Sequence, residues 1–89
     1  MEIDLQIVRR VFEDVLASRI SREQADRWAY SVVQQNEAGT LKYSPPKDGE
    51  RIWAAVMYLY GVDMTTAPGE YLHTDNDIRI EMFEQFGQQ

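Results

Sequence analysis

The chain contains no cysteine, which removes both disulfide frameworks and thiolate metal sites. Its single histidine, His73, excludes a histidine-rich metal centre. Basic side chains are scarce: nine Lys and Arg stand against fifteen Asp and Glu, for a net charge of −6. Sequence-independent nucleic-acid binding draws on clustered Lys and Arg, so the composition sets the expectation of no nucleic-acid partner. The longest apolar run, Ile52 to Tyr60, is nine residues, against about 20 for a membrane span, and no membrane partner is expected. The glycines are scattered, so no phosphate-cradling loop is present. Strand signals are also weak, with no Asn-Gly or Asp-Gly pair and no sustained alternation. The opening Met-Glu-Ile-Asp lacks the basic start of a signal peptide. The resulting expectation is a cytoplasmic protein.

What remains reads as one helical domain over residues 1–89. The nine apolar residues Ile52–Tyr60 leave no polar side at helical spacing, and a helix apolar all round belongs in the middle of a core. Asp48 is placed to cap that third helix, residues 49–60, and Gly61 to end it, with Val62 as the hydrophobic contact. A first helix over 4–19 carries the stripe Leu5, Val8, Val11, Phe12, Val15 and Leu16, with Gln6, Arg9, Arg10 and Glu13 on the other side and Asp4 as its cap. A second begins at the capping box Ser21-Arg22-Glu23-Gln24, braced by Ile20 and Ala25, and stops near Gly39. Its inner face is Ala25, Trp28, Ala29, Val32 and Val33. Residues 40–48 form a connection that Tyr43-Ser44-Pro45-Pro46 keeps extended. Residues 62–74 read as irregular, turning at Pro68-Gly69. A fourth helix, 76–86, starts from Thr74 or Asp75, with Ile78, Met82 and Phe86 inside and Ile80 and Phe83 off that stripe. Gly87-Gln88-Gln89 are expected to fray. The fold expected is all-α, a compact bundle of four helices around a central apolar helix 3.

Catalytic signals are absent from this pattern. His73 lacks a nucleophile with an orienting acid, and the serines sit in helix, cap or loop contexts. The reading preferred for His73 is a bond to local backbone or to a nearby carboxylate. Asp75-Asn76-Asp77 opens like a calcium loop, but Ile80 and Phe86 stand where glycine and glutamate are required. Helix capping explains these acids better. The expectations are a protein that is not an enzyme, with no catalytic residue, cofactor or metal.

Charge is the stronger lead. Asp77, Glu81 and Glu84 fall in one row of the fourth helix, where like charges cost a few tenths of a kcal/mol per pair. A row that weakens its own helix suggests an outside use; its plainer reading is a solvated face balanced by Arg79 or by arginines of the first helix. Glu70, Asp75 and Asp63 extend the acidic region. Trp28 reads as core, while Trp53 and the five tyrosines include more aromatic surface than so small a domain hides.

Several blocks together carry a family resemblance: Arg22-Glu23-Gln24-Ala25-Asp26-Arg27-Trp28-Ala29, Ile52-Trp53-Ala54-Ala55, Leu59-Tyr60-Gly61-Val62-Asp63-Met64, Pro68-Gly69-Glu70-Tyr71-Leu72-His73 and Asp75-Asn76-Asp77-Ile78. Over residues 20–86 the chain resembles small acidic helical immunity proteins of bacterial toxin systems, including contact-dependent inhibition. The resemblance implies an inhibitor that binds a toxin domain. An acidic inhibitor suits a basic nuclease toxin, because opposite charge speeds association. The surface assigned to that partner is Glu70, Tyr71, Asp75, Asp77, Glu81 and Glu84. The alternative is a non-catalytic structural or interaction module, with a homodimer as its simplest form.

Overall fold

The computed structural model describes residues 1–87. In chain order it contains β1 (Glu2–Ile3), α1 (Leu5–Leu16), α2 (Arg22–Glu37), β2 (Lys42–Tyr43), a 3₁₀ turn (Pro46–Asp48), α3 (Gly49–Leu59), β3 (Thr65–Ala67), β4 (Glu70–Tyr71) and α4 (Asp75–Phe86). The protein is therefore mostly helical, with four helices and two small sheets among the described residues. The expected four helices are present, and the all-α part of the expectation is corrected only by those four short strands. Each is only two or three residues long, too short for alternation to register in sequence. The fraying expected of Gln88 and Gln89 lies outside the described residues.

Local chemistry sets most helix ends. The Asp4 carboxylate accepts from Ile7 N at 2.8 Å and starts α1. The helix ends at Leu16, short of Arg19, because Ser18 turns left-handed (φ 60°) and the Arg19 and Ile20 amides both donate to the Asp14 carbonyl. Ser21 and Gln24 form the expected reciprocal box at the start of α2, with bonds of 3.0 and 2.8 Å. Thr74 and Asp77 build a second box at α4, which also settles the cap as Thr74.

Asp48 does not cap α3 with its side chain. It already lies inside the 3₁₀ turn, whereas a capping residue is normally extended, with its side chain folded over the first helical amides. Its carboxylate instead lies 4.0 Å from Arg51 Nη1. At the other end of α3, Gly61 adopts φ 94°, and its amide donates to Asp26 Oδ1 at 2.7 Å.

The parallel β1–β2 pair ties the N-terminus to the segment after α2. Lys42 N donates to the Met1 carbonyl at 2.8 Å and Ser44 N to the Ile3 carbonyl at 2.9 Å. This seats Ile3 in the core with no exposure. Residues 62–74 are not wholly irregular: β3 and β4 form an antiparallel hairpin around Pro68-Gly69, with Gly69 at φ 78°.

α3 packs against α1, α2 and α4. It is central, but it is not buried all round. Ile52, Ala55, Val56 and Leu59 are fully enclosed, while Met57, and Tyr60 just past the helix end, are about two-fifths exposed. Three neighbouring helices cover one side and the flanks, and the fourth side meets solvent. Phe12 of α1 anchors the interior: it meets Phe86 edge-on at 5.5 Å and Tyr58 in a stacked arrangement at 6.0 Å. No helix among the described residues is long and apolar enough to cross a membrane.

Among the described residues, Tyr58 carries an unsatisfied polar atom in this interior. Its ring lies between Phe12 and His73, and its buried hydroxyl has no hydrogen-bond partner among the described residues. Burial, reinforced by the negative charges of Asp77 and Glu81, pushes its pKa up to about 12. An unsatisfied buried hydroxyl costs about 1–3 kcal/mol. Tyr58→Phe is therefore expected to stabilise the fold by about 1 kcal/mol in urea unfolding at neutral pH. A raised folded pKa also gives a stability contribution that is complete below 10.0 and lost as pH rises toward about 12. The wild-type protein should accordingly lose stability across that window more steeply than Tyr58→Phe. Equal slopes would remove Tyr58 as the cause.

Candidate functional site

The acidic region and the basic edge of the molecule are built very differently. At the acidic region, Arg22 sits in the first turn of α2 with its side chain only 10% exposed. Its Nη1 donates to the His73 carbonyl at 2.6 Å and to the Val62 carbonyl at 3.4 Å. Nη2 donates to Asp75 Oδ1 at 2.9 Å, and the guanidinium lies 4.3 Å from the centre of the Tyr71 ring. One planar cation thus fastens the β3–β4 hairpin and the start of α4 to α2, using the fork geometry and flat face that lysine lacks.

The six residues assigned from sequence to a partner surface are divided by this arrangement. Tyr71 and Asp75 are brought together on Arg22, and the Tyr71 hydroxyl donates to Glu23 at 3.4 Å. Asp77 belongs to the α4 cap; the bond from Thr74 N is the largest influence holding its carboxyl below the usual range. Glu81 is half-buried and accepts from Gln85 Nε2 at 3.0 Å. Glu70 and Glu84 are exposed without an ion-pair or hydrogen-bond partner among the described residues. Of Asp77, Glu81 and Glu84 only Glu84 is fully on the surface; the other two are partly buried, Asp77 bonded to Thr74 and Glu81 to Gln85. His73 lays its ring on Tyr58 at 4.7 Å, and its carbonyl accepts from Arg22. That bond comes from a residue 51 positions away and uses the backbone carbonyl, so it is not the bond to local backbone or a carboxylate expected of His73. Trp28 packs against the core and Trp53 is half-buried.

The opposite character appears where α1 meets α4. Arg10 and Gln6 are exposed on the outer face of α1, one turn apart. With Arg9, Glu13, Leu5 and Phe86 they line an open depression of about 330 Å³. Arg9 and Phe86 also line an adjoining depression of about 280 Å³ shared with Arg79, Met82 and Phe83. Arg9 pairs with Glu13 at 3.6 Å. Arg10 and Arg79 are exposed and have no ion-pair or hydrogen-bond partner among the described residues. Arg10 thus lines the first depression and Arg79 the second, and the two depressions share Arg9 and Phe86. The sequence held a signal for this edge in the adjacent Arg9-Arg10, but Arg79 joins them only because α4 packs beside α1.

A model of the YxzC DNA-binding protein family matches residues 2–86. The chain belongs to that family. No curated protein and no solved structure matches it. The YxzC description overturns the immunity-protein resemblance, and with it the role of neutralising a basic toxin domain. It also overturns the expectation of no nucleic-acid partner, and it supports the alternative of an uncharacterised interaction module no better. The blocks that suggested an immunity protein have structural roles in this YxzC member. Arg22, Tyr71 and Asp75 make the clamp, Asp26 holds the Gly61 turn, and Asp77 completes the α4 cap.

The clamp has a measurable consequence. Charged hydrogen bonds to partly buried partners contribute about 1.5–3 kcal/mol each, not additively. Arg22→Ala should lower unfolding stability by about 2–3 kcal/mol, and Arg22→Lys should restore less than half of that loss. Chemical denaturation of the three proteins decides it; full rescue by lysine would show that charge alone suffices.

Proposed function

We propose that this protein binds DNA, without catalysing a reaction, through the arginine-bearing edge between α1 and α4. The supporting observation is the convergence of Arg9, Arg10 and Arg79 on two adjoining depressions in a chain of the YxzC DNA-binding protein family. Arginine is suited to this work: its fork bonds phosphate oxygens in pairs and also reads guanine edges. Gln6 adds a neutral side chain able to bond adenine.

The net charge of −6 does not forbid such an interface. Exposed charges are screened over about 8 Å at physiological salt, and the molecule extends 37 × 30 × 20 Å. A phosphate therefore responds mainly to its nearest side chains. Two nearby carboxylates are locally balanced, Glu13 by Arg9 and Asp75 by Arg22. The overall negative charge weakens long-range attraction, so binding is modest in affinity and favoured at low salt. A DNA-binding role also fits a place in the cytoplasm.

Fluorescence anisotropy with labelled DNA at several salt concentrations tests the reading. Arg10→Ala and Arg79→Ala should each weaken binding. Removal of one arginine–phosphate bond should also flatten the slope of log affinity against log salt by about 0.7–0.9. Absence of binding to any DNA at low salt, or unchanged binding by an Arg10→Glu/Arg79→Glu protein, would overturn it.

A further inference from the structure

Next to the arginine edge stands an aromatic side chain that the fold does not use. Phe83 is 57% exposed, the most exposed large hydrophobic residue among those described. Its neighbour one turn back, Ile80, is 49% exposed. The α4 stripe that meets the core is Ile78, Met82 and Phe86, so Phe83 contributes little to the interior. It borders the same depression as Arg9 and Arg79, and Arg79 precedes it by four residues on the same face of α4. Asn76, one turn before Arg79, is exposed on that face as well. The surface thus combines a flat apolar ring, an unpaired guanidinium and an amide in a strip.

We infer that the nucleic acid bound at this edge is single-stranded DNA, with Phe83 as the platform on which an unpaired base stacks and Arg79 as its phosphate contact. The inference rests on the DNA-binding reading above. Every base offers a π face to an aromatic ring, and grooves for single strands pair such rings with cations that follow the backbone. In a duplex those faces are already stacked, and opening one step costs a few kcal/mol. Charge points the same way. Duplex DNA carries a negative charge about every 1.7 Å of its axis, which a protein of net charge −6 with three clustered arginines opposes poorly. A single strand presents fewer phosphates to the acidic remainder of the surface, and stacking supplies attraction that needs no charge.

The experiment compares the full chain with Phe83→Ala and Phe83→Trp. Anisotropy is read at low salt on a labelled thymidine oligonucleotide of about 12 nucleotides and on the matching duplex. The single strand should bind more tightly than the duplex. Phe83→Ala should lose about tenfold or more in single-strand affinity, with Phe83→Trp remaining near wild type. Because Phe83 is exposed, thermal unfolding of both variants should match wild type. Unchanged single-strand affinity in Phe83→Ala, or tighter binding to the duplex, overturns the inference. If DNA binding depends on Arg10 and Arg79 but not on Phe83, the stacking role alone falls. If neither DNA form binds, the DNA-binding reading falls with it.

Discussion

Covering α3 is the constraint on which the rest of the structure depends. The helix carries Ile52, Ala55, Val56 and Leu59 on one side, all fully buried, and Ile52, Val56 and Leu59 each contribute about 1.5–3 kcal/mol when enclosed. A chain of 89 residues has few elements with which to enclose them. Three helices are used, and α1, α2 and α4 each lend an apolar stripe. The small sheets complete the enclosure at its edges: β1–β2 brings Ile3 into the core, and Val62, just before the hairpin, is also fully buried. Met57 of α3, and Tyr60 just past its end, face water, where Tyr60 stacks with Tyr30 at 6.1 Å.

Charge is distributed by the same packing. Arg22 closes the junction where the hairpin returns to α4, and it draws Asp75 and Tyr71 into that junction. Asp26 and Asp77 satisfy backbone amides at Gly61 and Thr74. Several carboxylates of an acidic chain are thus structural, holding turns and helix starts, while Arg10 and Arg79 remain exposed. Net charge counts both groups alike, although screening lets a ligand at the α1–α4 edge sense mainly the second. This is why an acidic composition led toward a basic protein partner, whereas the family match is to YxzC DNA-binding proteins.

The helices were largely legible in sequence because their signals are local. The Ser21–Gln24 box, the α1 stripe around Phe12 and the Gly61 stop each depend on residues within a turn of one another. The failures have equally specific causes. Asp48 looks like a cap until the 3₁₀ turn after Pro45 redirects it. The β1–β2 pair needs a partner segment about forty residues away, as the bond from the Met1 amine to the Thr40 carbonyl illustrates, and two-residue strands carry no periodic pattern. The proposed site was legible only in part: Arg9-Arg10 stand together in the chain, whereas Arg79 and Phe83 are distant from them.

The sequence by itself determined four helices, most of their boundaries and the apolar stripes they bury, because capping and hydrophobic periodicity act over a few residues. Tertiary structure decided which charges are consumed and which are left for a ligand. It seated Arg22 among three acceptors from two separate segments and carried Arg79 and Phe83 to the side of Arg9. Partnership between side chains is a matter of distance in space, and only the packing of α1, α3 and α4 around Phe12 sets that distance.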